Sequence, residues 1–306
     1  MSVRSTLLAP WLRLTVKARL SRLRDPIKAR RLTDKLIASN PVHVPMVTDL
    51  HAQYGGIDGL WIASRATPGQ VILYFHGGGY IAGSPQTHRK LLGALSRATR
   101  MAVFAPAYRL APEEPFPAAF DDALAAWQGL IARGYAASQI VLGGDSAGGG
   151  LALALLGHLC RRGTPPAACF AWSPWTDLTL AGDSYLSNAQ SEQVLPANGP
   201  LQPHALYLDG AEATDPRVSP MFGLFPACPP VLIQVADGEI LLDDAYGMEQ
   251  TLRLQSAPVE LQTWEALPHV WQLFIGLLPE ARQAITQTAD FIRDAATMRK
   301  LTASAI

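Results

Sequence analysis

Gln139-Ile140-Val141-Leu142-Gly143-Gly144-Asp145-Ser146-Ala147-Gly148-Gly149-Gly150 runs from an apolar strand, through a serine between glycines, into a helical stretch. The core of it, Gly144 to Gly148, is a G-x-S-x-G pattern set in a strand–turn–helix context, which is what a nucleophile elbow requires. Such a turn forces the serine into a strained backbone conformation and exposes its hydroxyl. The flanking glycines are needed because a β-carbon there would collide with the neighbouring strand and helix.

Outward from this turn the chain alternates short apolar runs with helix-like stretches. The runs are Val71 to Phe75, Met101 to Phe104, Gln139 to Leu142, Ala168 to Trp172 and Val231 to Val235, and an extended run follows from Val259 to Glu265. The helix-like stretches span about 86–99, 118–133, 147–162 and 243–256. Continuous apolar strands alternating with helices predict a parallel sheet covered on both faces. Ligands then sit at the carboxyl ends of the strands. Residues 42–64 read as extended, with a turn at Tyr54-Gly55-Gly56. One segment breaks the alternation. Residues 178–226 hold six prolines (196, 200, 203, 216, 220 and 226) and one short helix near Leu201 to Leu208, with no evident strand.

His76-Gly77-Gly78-Gly79 directly follows the first of these strands. Three successive glycines free the backbone to aim amide groups into a cavity, as acyl transfer needs where charge develops on a carbonyl oxygen. Gly78 and Gly79 are the expected donors there, with the amide of Ala147 as the third. His76 is read as holding the loop. A phosphate loop is the weaker reading, because neither GxxxxGK[ST] nor GxGxxG is present. After a serine elbow of this kind the acid and then the histidine follow in chain order. Three histidines follow Ser146: His158, His204 and His269. His158 lies in the helix after the elbow and His204 in the proline-rich segment. His269 follows the last extended run on a short loop and is the expected base. Position alone permits Asp237, Glu239 or Asp243 as the acid.

The N-terminus carries Leu8, Leu12, Val16, Leu20, Leu23 and Ile27 at spacings of four or three, a helical stripe. Asp25-Pro26 reads as an N-cap with proline at the first helical position, so a second helix starts there, and Asn40-Pro41 stops it. The opposite face is rich in arginine. Either it lies on an anionic membrane surface, or the helix docks on its own domain through the apolar stripe. The expectation here is docking. The 306 residues carry 25 Lys and Arg against 25 Asp and Glu, but residues 1–50 hold ten against three and the remainder fifteen against twenty-two. A neutral total argues against nucleic-acid binding. A charged share of 16% with 49% apolar residues argues against disorder and a coiled coil. Cys160, Cys169 and Cys228 show no CxxC spacing and read as free thiols. No run approaches the length of a membrane span, and the expectation is a soluble, cytoplasmic protein.

Taken together, HGGGY (76–80), YRLAPE (108–113), PFPAAFDD (115–122), GDSAGG (144–149), SPWTDL (173–178), DPRVSP (215–220) and PHVWQ (268–272) resemble the hormone-sensitive lipase family of α/β-hydrolases, the bacterial family IV esterases. The resemblance implies an α/β-hydrolase fold: a mostly parallel eight-stranded sheet flanked by helices, with a helical cap. Residues 1–41 and 178–226 would form the cap, and 42–177 with 227–306 the catalytic domain. It implies a serine carboxylesterase for short-to-medium acyl esters, needing no metal and no cofactor. The family places its acid thirty residues before the histidine, which here is Glu239 in place of the usual Asp. Asp237 is the runner-up, and the second Asp of the family loop falls on Asp243. Ser146, Glu239 and His269 are therefore the expected triad. Tyr80, Trp175, Tyr185, Leu206 and Val270 are the expected substrate contacts, with Leu186, Tyr207 and Trp271 nearby. Arg109, Glu113 and Asp122 are read as a buried polar network. The expected partner is a small ester, with no nucleic acid and no stable membrane insertion. A homodimer is compatible with the resemblance. The motifs do not separate ester from lactone, carbamate or amide hydrolysis. A non-catalytic binding protein on this fold would be expected to lack His269. The charge split predicts an electrostatic match between the basic N-terminus and an acidic body.

Overall fold

A computed structural model describes residues 2–38, 44, 47–64 and 66–304. The strands are β1 (Thr48–Tyr54), β2 (Ile57–Ala63), β3 (Val71–Phe75), β4 (Ala102–Pro106), β5 (Ile140–Asp145), β6 (Ala168–Trp172), β7 (Val231–Ala236) and β8 (Val259–Trp264). The helices are α1 (Val3–Trp11), α2 (Ala18–Leu20), α3 (Pro26–Ala38), α4 (Pro85–Thr99), α5 (Ala118–Ala132), α6 (Ala147–Arg161), α7 (Ser184–Ser187), α8 (Pro203–Leu208), α9 (Leu242–Leu254) and α10 (Pro279–Ser304). The sheet order is β1-β2-β4-β3-β5-β6-β7-β8, antiparallel at β1, β2 and β4 and parallel from there on. This is the expected eight-stranded sheet; the hairpin β1–β2 occupies residues 48–63 of the extended run expected over 42–64, of which 42, 43, 45 and 46 lie outside the described residues.

The alternation of side chains across the sheet builds two cores. Val71, Leu73 and Phe75 of β3 face one core with Leu151 and Leu155 of α6 and Phe120 of α5. Ile72 and Tyr74 face the other, with Leu91 and Leu95 of α4 and Ile285 of α10. Strands buried on both faces explain why these runs are apolar throughout.

Asp25 accepts from the amides of Ile27 and Lys28 at 2.9 and 3.1 Å, the expected N-cap of α3. The expected stop at Asn40-Pro41 lies outside the described residues. Between α1 and α2 the helix widens into a π segment, Leu12–Lys17. Steps of four residues overshoot an α-helical turn of 3.6, so a strictly four-spaced stripe drifts around the helix. The wider π turn counters that drift. Leu12 and Val16 are both buried as a result.

The N-terminus is not seated by charge matching. Among the described residues one ion pair, Arg30 to Glu113 at 2.6 Å, joins residues 2–38 to the rest. Arg4, Arg13 and Lys17 donate instead to the carbonyls of Leu277, Ser191, Ala189 and Glu192. The reading of a buried Arg109–Glu113–Asp122 network is also corrected. Arg109 forks onto Asp122 at 2.7–3.0 Å with its own side chain nearly half exposed, and the half-exposed Glu113 pairs with Arg30 instead. Among the described residues no helix is long and apolar enough to cross a membrane.

Gly143 on β5 sits against the ring of Phe170 on β6; a β-carbon there would lie 2.2 Å from Cζ. Gly143→Ala should therefore destabilise by overpacking, and Phe170→Ala by leaving a cavity, about 3–5 kcal/mol for the latter. In Gly143→Ala/Phe170→Ala each change relieves the other. Denaturant unfolding should find the double variant at least about 1 kcal/mol more stable than the summed single losses. Strict additivity would refute this packing account.

Candidate active site

Ser146 joins β5 to α6 with φ 53° and ψ −124°, a left-handed conformation that L-residues avoid. Both backbone groups hold it there. Its amide donates to Trp172 at 2.8 Å, and its carbonyl accepts from Gly150 and Trp175 at 3.0 Å. The glycine requirement is literal at Gly148, where a β-carbon would meet the carbonyls of Phe75 and His76 at 2.2 and 2.4 Å. The start of α6 thus packs directly on the end of β3.

That contact brings the glycine loop over the serine. Asp145 pins it: Oδ1 accepts from the Tyr74 hydroxyl at 2.7 Å and from the Gly77 amide at 3.0 Å, and His88 Nε2 lies 3.4 Å from Oδ2. Burial pushes the Asp145 carboxyl up, but His88, the Tyr74 hydroxyl and His76 outweigh it and hold it below its ordinary value. The loop histidine, His76, stacks on Tyr108, whose hydroxyl donates to the His76 carbonyl at 2.6 Å. Burial, reinforced by neighbouring His88, pushes His76 down to about 3. The ring is held within the loop by Tyr108, in keeping with a structural place for His76. Among the described residues, the amides of Gly78, Gly79 and Ala147 donate to no protein acceptor. All three border the cavity or the serine.

The loop after β8 delivers His269. Its Nε2 is 2.9 Å from Ser146 Oγ, and its Nδ1 is 2.6 Å from Glu239 Oε2. Glu239 sits on the turn after β7. Its other oxygen, Oε1, accepts from the Ala236 amide at 2.8 Å and from Ser173 Oγ at 2.7 Å. Of the three acids that position allowed, Glu239 alone touches His269. Asp237 is exposed and accepts from the Ala266 amide; Asp243 accepts from the Ser184 amide. Burial draws the His269 imidazole down, and the charge and hydrogen bond of Glu239 more than offset this, so it is held above its ordinary value. His158 lies in α6 with its ring edge against Phe120.

The serine opens into a cavity of about 440 Å³. Trp175, Tyr185 and Val270, named from the sequence, line it. Tyr80 and Leu206 do not. Tyr80 is fully buried, stacked on Tyr207 with ring centres 3.8 Å apart, and Leu206, on α8, packs partly buried against the core. Leu186 is exposed, and Trp271 is buried against Trp264. The N-terminal stripe supplies lining that sequence reading missed: Leu8, Leu12, Val16 and Leu20. The signal was the stripe itself, whose docking face is also a cavity wall. Also missed was Ser173, at φ 46°, whose hydroxyl donates to Glu239 and accepts from the Val270 amide at 3.2 Å.

A sequence profile for the α/β-hydrolase fold matches residues 72–273. An acetyl-hydrolase of Streptomyces hygroscopicus is 42% identical over 236 residues, covering 77% of this chain and 79% of that one. An esterase of Acinetobacter venetianus is 34% identical over 268 residues, covering 87% and 88%. The crystal structure of an esterase from the bacterial hormone-sensitive lipase family superposes with a TM-score of 0.90 at 36% identity, covering 97% of this chain and 99% of that one. The chain belongs to the hormone-sensitive lipase family of α/β-hydrolases.

Proposed function

We propose that this protein is a serine carboxylesterase acting on short-to-medium acyl esters through an acyl-enzyme. The observation that carries the reading is the relay from Glu239 through His269 to Ser146, at 2.6 and 2.9 Å, next to three amides that, among the described residues, have no protein acceptor. Its relatives named acetyl-hydrolase and esterase support it.

His269 takes the proton from Ser146 as its Oγ attacks the ester carbonyl. The amides of Gly78, Gly79 and Ala147 bind the oxyanion of the tetrahedral intermediate. Collapse expels the alcohol, protonated by His269, and leaves the acyl group on Ser146. Water then attacks, activated by the same imidazole. Glu239 holds Nδ1 protonated so that Nε2 is free to accept, and it stabilises the imidazolium that forms. Ser173 is a positioning residue acting through Glu239. Residues 1–41 and 178–226 form the cap in this reading, and Trp175, Tyr185 and Val270 meet the substrate.

Turnover of p-nitrophenyl butyrate should fall most in Ser146→Ala, by about 10⁶-fold on the scale of the subtilisin nucleophile. Glu239→Gln should cost roughly 10²–10⁴-fold. Ser173→Ala should cost about 10–100-fold, the value of a hydrogen bond to a buried charge. Asp237→Asn should stay within about tenfold. Ser146→Ala active within tenfold of wild type sinks the nucleophile, and Asp237→Asn costing more than Glu239→Gln moves the acid.

His269 must be neutral to accept a proton, so kcat/KM should rise with pH along an acid limb. Because Glu239 holds the imidazole up, the limb's midpoint should lie above about 6.5, the ordinary value. Glu239→Gln should move it lower. A wild-type midpoint below that value contradicts the pairing. Across p-nitrophenyl esters from acetate to palmitate, kcat/KM should be highest among the shorter chains; a maximum at palmitate would reject the substrate class.

A further inference from the structure

The N-terminal helix uses only one of its two apolar faces within the fold. The inner face, with Leu8, Leu12 and Val16, walls the cavity. On the outer face Val3, Leu7, Trp11 and Leu14 are 76, 72, 51 and 77% exposed. Their spacings of four, four and three place them in one stripe. Scattered exposed apolar residues are ordinary on a soluble protein, but a continuous stripe of four large ones marks a contact surface.

The charge around the stripe says what contacts it. Arg4, Arg13, Arg19, Arg22 and Arg24 are exposed, and no Asp or Glu occurs between Ser2 and Arg24. We propose that this face docks on an anionic lipid surface, with the arginines at the headgroups and Leu7, Trp11 and Leu14 in the interface. A second copy of the chain is the poorer occupant. A two-fold contact would set this cationic face against itself, with no carboxylate of residues 2–24 to balance it. An anionic bilayer complements both the charge and the apolar stripe. Tryptophan suits the boundary, since its ring is apolar and its N–H is polar.

Docking needs no rearrangement of the fold. The helix is held from beneath: the Ser2 amide and hydroxyl donate to Glu280 at 2.6 and 3.0 Å, and Lys17 donates to Ala189 and Glu192 at 2.6 and 2.9 Å. Trp11 belongs to both surfaces, half exposed yet lining the cavity. A docked protein therefore carries the rim of its cavity to the lipid headgroups.

The test is sedimentation of the full chain with large unilamellar vesicles of dioleoylphosphatidylglycerol or of dioleoylphosphatidylcholine. The protein should pellet with the first and not the second, and added salt should release it. Leu7→Ser/Leu14→Ser should abolish pelleting while retaining wild-type turnover of p-nitrophenyl butyrate, because neither side chain lines the cavity. Arg19→Gln/Arg22→Gln should weaken binding by roughly fivefold for each charge removed. No pelleting by the wild type, equal pelleting by either variant, or equal pelleting with both lipids overturns the proposal. So does a dimer in vesicle-free solution that Leu7→Ser/Leu14→Ser dissociates, which gives the face to a second copy. Sedimentation does not depend on ester turnover, so this proposal and the esterase reading fail separately.

Discussion

The structure depends on the close approach of two turns, the one after β5 and the one after β3. Gly148 lies so near the carbonyls of Phe75 and His76 that no side chain fits between them. Asp145 then reaches across to hold the Gly77 amide and the Tyr74 hydroxyl. The residue directly before Ser146 therefore fixes the glycine loop that begins at Gly77. Neither turn could be placed with the other missing. The strain at Ser146 persists because both of its backbone groups are bonded to elements that cannot move apart. The central parallel sheet supplies that rigidity, since β3, β5 and β6 are paired side by side and buried on both faces.

The second dependence runs upward from the sheet. A site at strand ends is open to solvent unless something walls it, and here residues of the N-terminal helix and of the proline-rich segment, far apart in the chain, line the same cavity. The π segment at Leu12–Lys17 lets a four-spaced stripe keep facing the site, so one helix supplies a wall of the cavity. Lys17 and Arg13 tie that helix to carbonyls at 189–192 rather than to carboxylates. Glu192, in the same stretch, accepts from the amides of Val194, Leu195 and Ile240 and so ties this segment to the turn that carries Glu239. The neutral total charge does not describe two matched surfaces. Arg19, Arg22 and Arg24 are exposed, while Lys17 is bonded to the body's carbonyls, and Arg30 to a carbonyl and to Glu113.

What could be read from the sequence was what is local. The elbow, the glycine loop and the alternation of strands and helices each lie within a few residues, and the structure shows all three. His269 was reachable because it alone of the later histidines follows the last strand. The cavity wall was not reachable. Leu12 and Val16 share a cavity with Tyr185 and Leu195 from more than 160 residues away in the chain, and a stripe reads the same whether it faces a core or a cavity. Tyr80 illustrates the reverse error. Its place beside the glycine loop suggested a substrate contact, yet its left-handed backbone turns the ring into the core against Tyr207.

The acid shows most clearly why position alone was not enough. Three carboxylates sit within seven residues, and each has separate work. Asp237 holds the Ala266 amide just before the His269 loop, Asp243 holds Ser184, and Glu239 reaches His269. Asn188 donates to the carbonyls of both Asp237 and Glu239, so the turn's backbone is pinned on either side of Gly238. With the backbone fixed, side-chain length decides reach. An aspartate at 239 would withdraw its carboxylate by about one carbon–carbon bond, roughly 1.5 Å. That withdrawal would stretch contacts to His269, Ser173 and Ala236 that all lie between 2.6 and 2.8 Å. The glutamate is therefore matched to this turn, and the turn is held by the same proline-rich segment that lines the cavity.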